Sequence, residues 1–379
     1  ERPNWRDVAE ELGFRFHTIG GEPYWREDAY YSFTLRQIED DLEGPAGELE
    51  EMCFAIVDRA CRDEALLLRL KIPERFWDYI QQSWRGQAKN LYGRMDFSYT
   101  GQGPAKLLEY NADTPTALYE TSVFQWRWLE DLQAVGRMPA SADQFNSIHE
   151  TLIEAFGAFG IQGPLHLAGE TSSEEDLGTI EYLADCADQA GIKTFLMPLN
   201  AIGLTDTGRF VDGEDRPIST LFKLYPWEWI FQDDFGAHLQ RMNLRMIEPP
   251  WKAILSNKGL MPLLWELAPG HPNLLPSFFA DAIDADALGP DYVRKPLLSR
   301  EGANVEIVEG GKLGETAGGP YGAEGAIAQA LAPLPRMDGM YPVLGVWLIA
   351  SRPAGLGIRE DATRITTDNS LFVPHAILD

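Results

Sequence analysis

Carboxylate and amide side chains alternate with apolar ones over residues 106–116, and this pattern is the strongest indication of chemistry in the chain. Neighbouring residues of a strand point to opposite faces, so Glu109, Asn111 and Asp113 share one face of a predicted strand. The opposite face is apolar and can be buried. Carboxylate and amide oxygens, together with water and substrate phosphates, are ligands that suit Mg²⁺.

The same alternation occurs a short distance upstream, where Arg94 and Asp96 share one face of a second predicted strand. If the two strands pair, three acids, one amide and one guanidinium meet on a common face. The alternative is a solvated strand face on which Arg94 simply pairs with an acid. We favour a metal site because residues 113–116 form a turn with free hydroxyls, and loops at strand ends carry function.

A strand lysine followed by a glycine-bearing turn forms the second pattern. Lys295 precedes residues 299–304, and Gly302 permits close approach of the backbone, so that amide groups can cradle phosphate oxygens. The spacing is not that of a P-loop, and an ordinary hairpin fits it about as well. Together with Lys258 and the acid face, however, the turn completes a set of groups that can hold ATP.

Composition restricts the partners of the protein. The chain has 379 residues, of which 45% are hydrophobic, and its formal net charge is −26. This charge argues against nucleic acid and anionic membranes as partners, since binders of both carry basic patches. The longest apolar run, over residues 340–350, is too short to span a bilayer. Three cysteines without a CxxC pair suit a reducing compartment, so we expect a cytoplasmic protein.

The pattern predicts one integrated unit over residues 1–379, because no low-complexity linker divides the chain. Residues 1–90 are predicted to be mainly helical, residues 91–160 to hold the metal-binding strands and a helix, and residues 161–220 to form an α/β subdomain. Residues 221–379 carry the two lysines, the glycine-bearing turn and the C-terminal strands. The oligomeric state is not predicted.

Some local expectations follow from the same patterns. Residues 250–267 are predicted to be helical after their first turn, and another helix is predicted to begin near Leu177. Residues 164–200 are predicted to form one βαβ unit around that second helix. Lys223 and Glu228 flank an aromatic turn, where a structural ion pair between them is at least as reasonable as a substrate contact.

Several motifs of the chain resemble those of one known family. They are residues 94–96, 108–116, 143–147, 221–228, 256–258, 263–265 and 357–361. Together they resemble the synthetase domain of bacterial glutathionylspermidine synthase, and more closely the stand-alone acid–amine ligases of that family. The resemblance extends over nearly all of the chain. It implies an α/β (α+β), ATP-grasp-like fold with a permuted order of motifs, an N-terminal helical region and an inserted α/β subdomain.

The resemblance also implies roles for particular residues, most of which would handle ATP and Mg²⁺. This set consists of the Mg²⁺ ligands Asp96, Glu109 and Asn111, the phosphate-binding Lys258 and Lys295, the turn from Ser299 to Gly302 that closes over the phosphates, and Gln329 near the adenine-binding hinge. Arg94 and Arg359 would stabilise the phosphoryl group during its transfer.

The substrate-binding residues are implied in the same way. Thr114 and Thr116 match positions near the family's glutathione-binding site, and Glu174 and Glu175 match a pair of acids that meets the polyamine. The C-terminal polyamine contact of the family is not kept near residues 368–370. That departure argues against carrying spermidine and glutathione over as the substrates, and it leaves the acid and the amine unnamed.

The implied activity is that of an ATP- and Mg²⁺-dependent ligase. It would join a carboxylate, such as that of glutathione or a related small peptide, to an amine, with a polyamine as one candidate, through an acyl phosphate. Two alternatives remain: a nucleotide-binding protein of the same fold without ligase activity, and a metal-dependent hydrolase. The hydrolase leaves the two lysines and the glycine-bearing turn unexplained, and a simple binder does not require the complete set of charged residues.

Overall fold

The structure is a computed structural model that describes residues 1–241, 244–367 and 370–378. The α-helices are α1 (Trp5–Glu11), α2 (Leu35–Ile38), α3 (Gly44–Ala60), α4 (Glu64–Arg69), α5 (Trp77–Arg85), α6 (Gln125–Ala134), α7 (Ile148–Phe159), α8 (Glu174–Gln189), α9 (Trp227–Ile230), α10 (Lys252–Leu255), α11 (Leu260–Leu267) and α12 (Ala285–Leu288). None of the helices in this part of the chain is long and apolar enough to cross a bilayer.

Strands provide the framework that positions the chemical groups. They are β1 (Thr18–Ile19), β2 (Glu22–Pro23), β3 (Tyr31–Phe33), β4 (Tyr92–Ser98), β5 (Lys106–Asn111), β6 (Leu165–Gly169), β7 (Thr194–Pro198), β8 (Gly203–Leu204), β9 (Phe210–Val211), β10 (Thr220–Lys223), β11 (Arg245–Ile247), β12 (Ser277–Phe279), β13 (Tyr292–Pro296), β14 (Glu306–Glu309), β15 (Lys312–Thr316), β16 (Ala326–Ala330), β17 (Tyr341–Ile349), β18 (Arg352–Asp361), β19 (Leu371–Val373) and β20 (His375–Ile377). Three larger sheets result, and each contributes to the arrangement of the site.

The first sheet is antiparallel and has the strand order β19-β18-β17-β4-β5. Its β4 and β5 are the two strands predicted from the alternation, and their pairing is confirmed. Asp96 lies opposite Glu109, and Arg94 lies opposite Asn111. Two residues of one strand and two of the other therefore present their side chains on the same face of the sheet.

A glycine in β17 makes room for the guanidinium on this face. Gly345 is the cross-strand partner of Asp96, and a Cβ atom at Gly345 would lie 2.6 Å from Cδ of Arg94. Such a distance is far below van der Waals contact, so any side chain at Gly345 would displace Arg94. The absence of a side chain here lets Arg94 lie flat across the sheet beside Asp96.

The second sheet is antiparallel and has the order β12-β16-β13-β14-β15. Lys295 lies on β13, and Gln329 lies on the neighbouring β16. The predicted glycine-bearing turn connects β13 to β14, with Gly302 in the left-handed region at φ +71°. The sheet therefore brings one lysine and the turn to the same end of its central strands.

The third sheet is parallel and has the order β11-β10-β6-β7, and α8 crosses from β6 to β7. The predicted βαβ unit is thus confirmed, but its helix begins at Glu174 instead of near Leu177. The hydroxyl of Ser173 accepts a hydrogen bond from the backbone N–H of Asp176 at 3.3 Å. This N-cap allows the acidic residues to form the first turn, where they interact favourably with the helix dipole.

The predicted continuous helix over residues 250–267 is wrong, because a break separates α10 from α11. The side chain of Asn257 accepts a hydrogen bond from the N–H of Gly259 and donates one to the carbonyl of Leu70, both at 2.8 Å. Within the break, the backbone N–H of Lys258 donates to the carbonyl of Leu297 at 2.9 Å. The interruption thereby holds Lys258 against the turn that follows β13.

Asp113 does not join the acid face, and that expectation is wrong. The strand β5 ends at Asn111, so the alternation of side chains stops before Asp113. The buried Asp113 carboxylate instead accepts hydrogen bonds from the ammonium of Lys223 and, at 2.8 Å, from the backbone N–H of Trp227. The suggested ion pair between Lys223 and Glu228 is therefore not formed.

We predict that the Asp113–Lys223 pair stabilises the junction between β5 and the parallel sheet. Substituting Asp113→Ala leaves a fully buried ammonium without its partner, so the free energy of unfolding should fall by about 3–5 kcal/mol. Denaturant unfolding measures the loss. The control is Glu154→Gln, which removes an exposed ion pair to Arg352 and should change stability by less than about 1 kcal/mol. Equal stability of the two variants would contradict the assignment.

Candidate functional site

One cleft lies between the first and second sheets, and most of the predicted site residues line it. The cleft and its mouth enclose about 1080 Å³. Its wall includes Arg94, Asp96, Glu109, Asn111, Thr114, Thr116, Lys258, Lys295, Gly302, Gln329 and Arg359. Ser299 lines a small neighbouring pocket, whereas Glu175 lines a side pocket described below. Glu174 is exposed and lines none of these cavities.

The Asp96 carboxylate lies at the centre of a set of charge-assisted contacts. Arg94 donates to it from Nε at 2.6 Å and from Nη2 at 2.9 Å, in the bidentate geometry that suits a guanidinium. Arg359, on β18, donates from Nη2 at 3.2 Å. The side-chain amide of Asn111 donates to the same carboxylate at 3.1 Å. Asp96 is only 2% exposed, so these partners replace the water it would otherwise bind.

Glu109 has a similar environment with lysines in place of arginines. Its Oε2 lies 2.9 Å from Nζ of Lys258, and Asn111 donates to its Oε1 at 3.1 Å. Burial alone would raise the pKa of Glu109, but the ammonium groups of Lys258 and Lys295 hold it well below its usual range. The carboxylate is therefore ionised and can bind a cation.

The two lysines reach the same side of the cleft from different elements. Nζ of Lys258 also donates to the carbonyl of Ser299 at 2.6 Å, within the glycine-bearing turn. Nζ of Lys295 donates to Oε1 of Gln329 at 2.8 Å and to the carbonyl of Leu108 at 2.9 Å. Burial lowers the pKa of Lys295 to about 8, and the Glu109 charge offsets only part of that effect.

The far end of the cleft is apolar. Val293, Val305, Ile307, Leu331 and Ile365 line it, and they belong to one small hydrophobic cluster. An apolar slot beside a few oriented polar groups is the usual form of a small-molecule site. The cleft thus has an apolar end and a strongly charged end.

The side pocket adjoins the charged end, and the pocket and its open mouth together span about 530 Å³. Thr114 and Thr116 line both cavities, so the two are contiguous. Glu175 and Asp176 form its acidic wall. Burial raises the pKa of Glu175 to about 7 and that of Asp176 to about 6, and the charge of Asp176 adds to the shift of Glu175. The predicted acidic pair was Glu174 and Glu175, but the two neighbouring acids that line this pocket are Glu175 and Asp176.

Arg300, which lies inside the glycine-bearing turn, was not predicted as a site residue from the sequence. Its guanidinium donates to the hydroxyl of Thr114 and lies 3.3 Å from a carboxylate oxygen of Glu228. It lines the central cleft and the side pocket. An arginine beside the glycine of this turn is a signal that the sequence contained, but its partners, Thr114 and Glu228, lie more than fifty residues away.

The donor set fits a magnesium ion that arrives with phosphate. Among the residues described, no three histidine, cysteine or acidic side chains form a group that could hold a metal alone. The two carboxylates of Asp96 and Glu109 nevertheless share a face with the amide of Asn111. Mg²⁺ takes one or two carboxylates, keeps several waters and completes its shell with substrate phosphates.

The sheets, the helices that pack on them and the charged cleft between two of the sheets make up a mixed α/β fold. A glutathione synthetase-like effector from Globodera pallida, solved in its apo form, has the same fold with a TM-score of 0.57 at 11% identity, covering 92% of this chain and 89% of that one. The profile of the family described as glutathionylspermidine synthase preATP-grasp matches residues 1–378, and the chain belongs to this family. The predicted fold class and family are confirmed.

Individual relatives agree with this assignment. A Haemophilus influenzae protein described as a candidate acid–amine ligase is 39% identical over 99% of this chain and 97% of its own length. Trypanothione synthetase of Crithidia fasciculata is 28% identical, covering 86% of this chain and 53% of that protein. The bifunctional glutathionylspermidine synthetase/amidase of Escherichia coli is 26% identical, covering 98% and 63%. The family consists of ATP-dependent ligases that form amide bonds, so the predicted enzyme class is confirmed.

The sequence departs from the family near residues 368–370, at the C-terminal polyamine contact. Asp368 and Asn369 lie outside the described residues. Ser370 is described and buried, and its hydroxyl donates to the Asp361 carboxylate at 2.8 Å. This position therefore has an internal partner and does not face the side pocket as one of its lining residues.

We predict that nucleotide binding near pH 8 takes up protons through Lys295. The free lysine is charged below its lowered pKa of about 8 and neutral above it, and a bound phosphate should raise that pKa. Calorimetry of Mg–ATP binding at about pH 8, in buffers of different ionisation enthalpy, measures the uptake. In Lys295→Arg the cation stays protonated, so the uptake should largely disappear. An unchanged uptake in this variant would assign the proton to another group.

Proposed function

We propose that this protein is an ATP- and Mg²⁺-dependent ligase that joins the carboxylate of a small peptide-like acid to a cationic amine through an acyl phosphate. The observation that carries the proposal is the convergence of two acids, two lysines and two arginines in one cleft that is contiguous with an acidic side pocket. One cavity fits a nucleotide, and the other fits a second, positively charged substrate.

The nucleotide would bind along the central cleft. Its base would lie at the apolar end, beside Gln329, and its phosphates would lie at the charged end, which Lys258 and Lys295 reach from different elements. Asp96, Glu109 and Asn111 would hold Mg²⁺ against the phosphates. When bound, the ion would neutralise phosphate charge and orient the terminal phosphoryl group.

The two arginines would assist the first chemical step. In that step a carboxylate oxygen of the acid attacks the terminal phosphorus of ATP, and ADP leaves. Charge then spreads over the equatorial oxygens of the phosphoryl group, which a guanidinium stabilises well. Arg94 and Arg359 both lie against Asp96, so their guanidinium groups are held side by side in the cleft before any substrate arrives.

The side pocket would bind the amine and accept its proton in the second step. An amine is protonated in water and must lose a proton before its nitrogen attacks the acyl carbon and phosphate leaves. Glu175 and Asp176 can bind the ammonium, and their raised pKa values make either carboxylate a suitable proton acceptor near neutral pH. Thr114 and Thr116, which line both cavities, offer hydroxyls to the acid where the two substrates meet.

The two alternatives account for less of the site. A metal-dependent hydrolase needs neither the apolar end of the cleft nor the two lysines. A nucleotide-binding protein without ligase activity does not need an acidic pocket that opens beside the phosphate end. The ligase uses both cavities, the two lysines and the acidic wall of the side pocket.

The direct test of the function is phosphate release from ATP across a panel of acids and amines, with mass detection of the joined product. The panel includes glutathione and related γ-glutamyl peptides as acids, and diamines and polyamines as amines. We expect ATP turnover to require one acid and one amine together and to yield an amide. The proposal would be contradicted if no combination of acid and amine stimulated phosphate release and no joined product were detected.

We predict that the metal face is essential for turnover. Glu109→Gln removes one ligand charge at nearly constant shape, so ATP turnover should fall by about 100-fold or more. The matched control is Glu174→Gln, because Glu174 is exposed and lines neither cavity. Steady-state kinetics at saturating Mg²⁺ compares the two. Normal turnover in Glu109→Gln, or equal losses in both variants, would remove Glu109 from the site.

We predict a different kinetic signature for Arg359. Lysine retains the charge but loses the planar fork, so Arg359→Lys should lower kcat by about 100-fold and leave KM for ATP almost unchanged. This split indicates an interaction made mainly in the transition state. If Arg359 only formed an ion pair with Asp96, the variant would lose thermal stability, while kcat per folded molecule would stay near the wild-type value.

A further inference from the structure

A short segment after β18 covers one side of the central cleft. This segment, residues 362–367, contributes Arg364, Ile365 and Thr366 to the wall of the cleft. Its base is fixed by Asp361, whose carboxylate accepts hydrogen bonds from the backbone N–H of Thr363 at 2.9 Å and from the hydroxyl of Thr367 at 3.2 Å. The segment is therefore held at both of its ends.

The segment lies directly on the glycine-bearing turn. A Cβ atom at Gly302 would lie 2.5 Å from the carbonyl oxygen of Thr366 and 2.8 Å from Cγ2 of Ile365. No larger residue fits at Gly302 while the segment stays in place. Ile365 is buried with Val305 and Ile307, so it forms part of the apolar end of the cleft.

Arg364 connects this segment to the hairpin of β14 and β15. Its Nη1 and Nη2 donate to the two carboxylate oxygens of Glu309 at 2.9 and 2.7 Å. Its Nε donates to Glu315 at 2.7 Å, and its backbone N–H donates to the other oxygen of Glu315 at 3.0 Å. One guanidinium thus binds acids on both strands, in the bidentate geometry that makes such pairs strong.

We propose that Arg364 is a positioning residue for the nucleotide. By tying residues 362–367 to the β14–β15 hairpin, it places Ile365 as one wall of the base pocket and Thr366 on the turn that meets the phosphates. Three of the five N–H donors of the guanidinium bind Glu309 and Glu315, so the role assigned to it is to hold the segment and not to bind ATP directly. This inference rests on the proposed position of the nucleotide in the central cleft.

Under this proposal, residues 362–367 affect the binding of ATP and not the chemical step. Residues 362–367 touch the apolar end and the turn, whereas the acids and arginines that would act on the phosphoryl group lie on β4, β5 and β18. Loosening the segment should weaken nucleotide binding and leave the reacting groups in place. KM and the dissociation constant for ATP should therefore rise while kcat changes little.

The test compares Arg364→Gln with Arg352→Gln, which removes another arginine–glutamate pair at the opposite end of β18 and touches neither cavity. We expect Arg364→Gln to raise KM and the dissociation constant for ATP by about five- to tenfold, with kcat within about threefold of wild type. Arg352→Gln should match wild type in all three quantities.

A double-mutant cycle separates positioning from general stability. The pair Glu309→Gln and Glu315→Gln should reproduce the rise in KM, and adding Arg364→Gln to that pair should have little further effect, since all three changes break one connection. An Arg364→Gln variant that only melts at a lower temperature, with an unchanged KM for ATP, would overturn the proposal. If the wild-type protein does not bind ATP at all, both the proposed function and this inference fail. If the wild type binds ATP and Arg364→Gln binds it equally well, only this inference fails.

Discussion

The arrangement of the site depends on charge matching between two buried acids and the cations that surround them. Asp96 is held by Arg94 and Arg359, and Glu109 is held by Lys258. Removing a charge from water costs several kcal/mol, and a buried ion left without a partner is strongly destabilising. This cluster therefore forms only when β4, β5 and β18 pair in the observed register and the break between α10 and α11 holds Lys258 in place.

The same charge matching explains how the site can be ready for ATP without being fixed in a closed form. Mg²⁺ and phosphates carry the same types of charge as the cations and acids that now pair with each other. Under the proposed function, Lys258 would exchange Glu109 for a phosphate and the Glu109 carboxylate would help to hold the metal, so each charged group would keep a partner of opposite charge. Cations that are already positioned lose little freedom when the substrate binds, which is the basis of electrostatic preorganisation.

Much of the site could be predicted from the sequence, because its central part depends on a local rule. The period of two in a strand placed Glu109 and Asn111 on one face, and the structure pairs them with Asp96 and Arg94 as predicted. The same rule failed at Asp113, which lies just beyond the strand end. Its partner, Lys223, is far along the chain, and no local pattern shows that the strand stops before it.

Other features were missed for the same physical reason. The break before α11 depends on a hydrogen bond from Asn257 to the distant carbonyl of Leu70, although the sequence around it has helical periodicity. Arg300 and Arg364 acquire their roles from acids on other elements, Glu228 for one and the β14–β15 hairpin for the other. Tertiary contacts of this kind are set by topology, and a single sequence does not display them.

The central claim is that Asp96 and Glu109 exchange their cationic partners for Mg²⁺ and nucleotide phosphates in the cleft between the two sheets. A crystal structure of the protein with Mg²⁺ and a non-hydrolysable ATP analogue tests it most directly. The account predicts a metal ion at about 2.1 Å from oxygens of both carboxylates and of the phosphates, with Lys258 moved from Glu109 onto a phosphate. A nucleotide bound elsewhere, or a metal that contacts neither Asp96 nor Glu109, would contradict it.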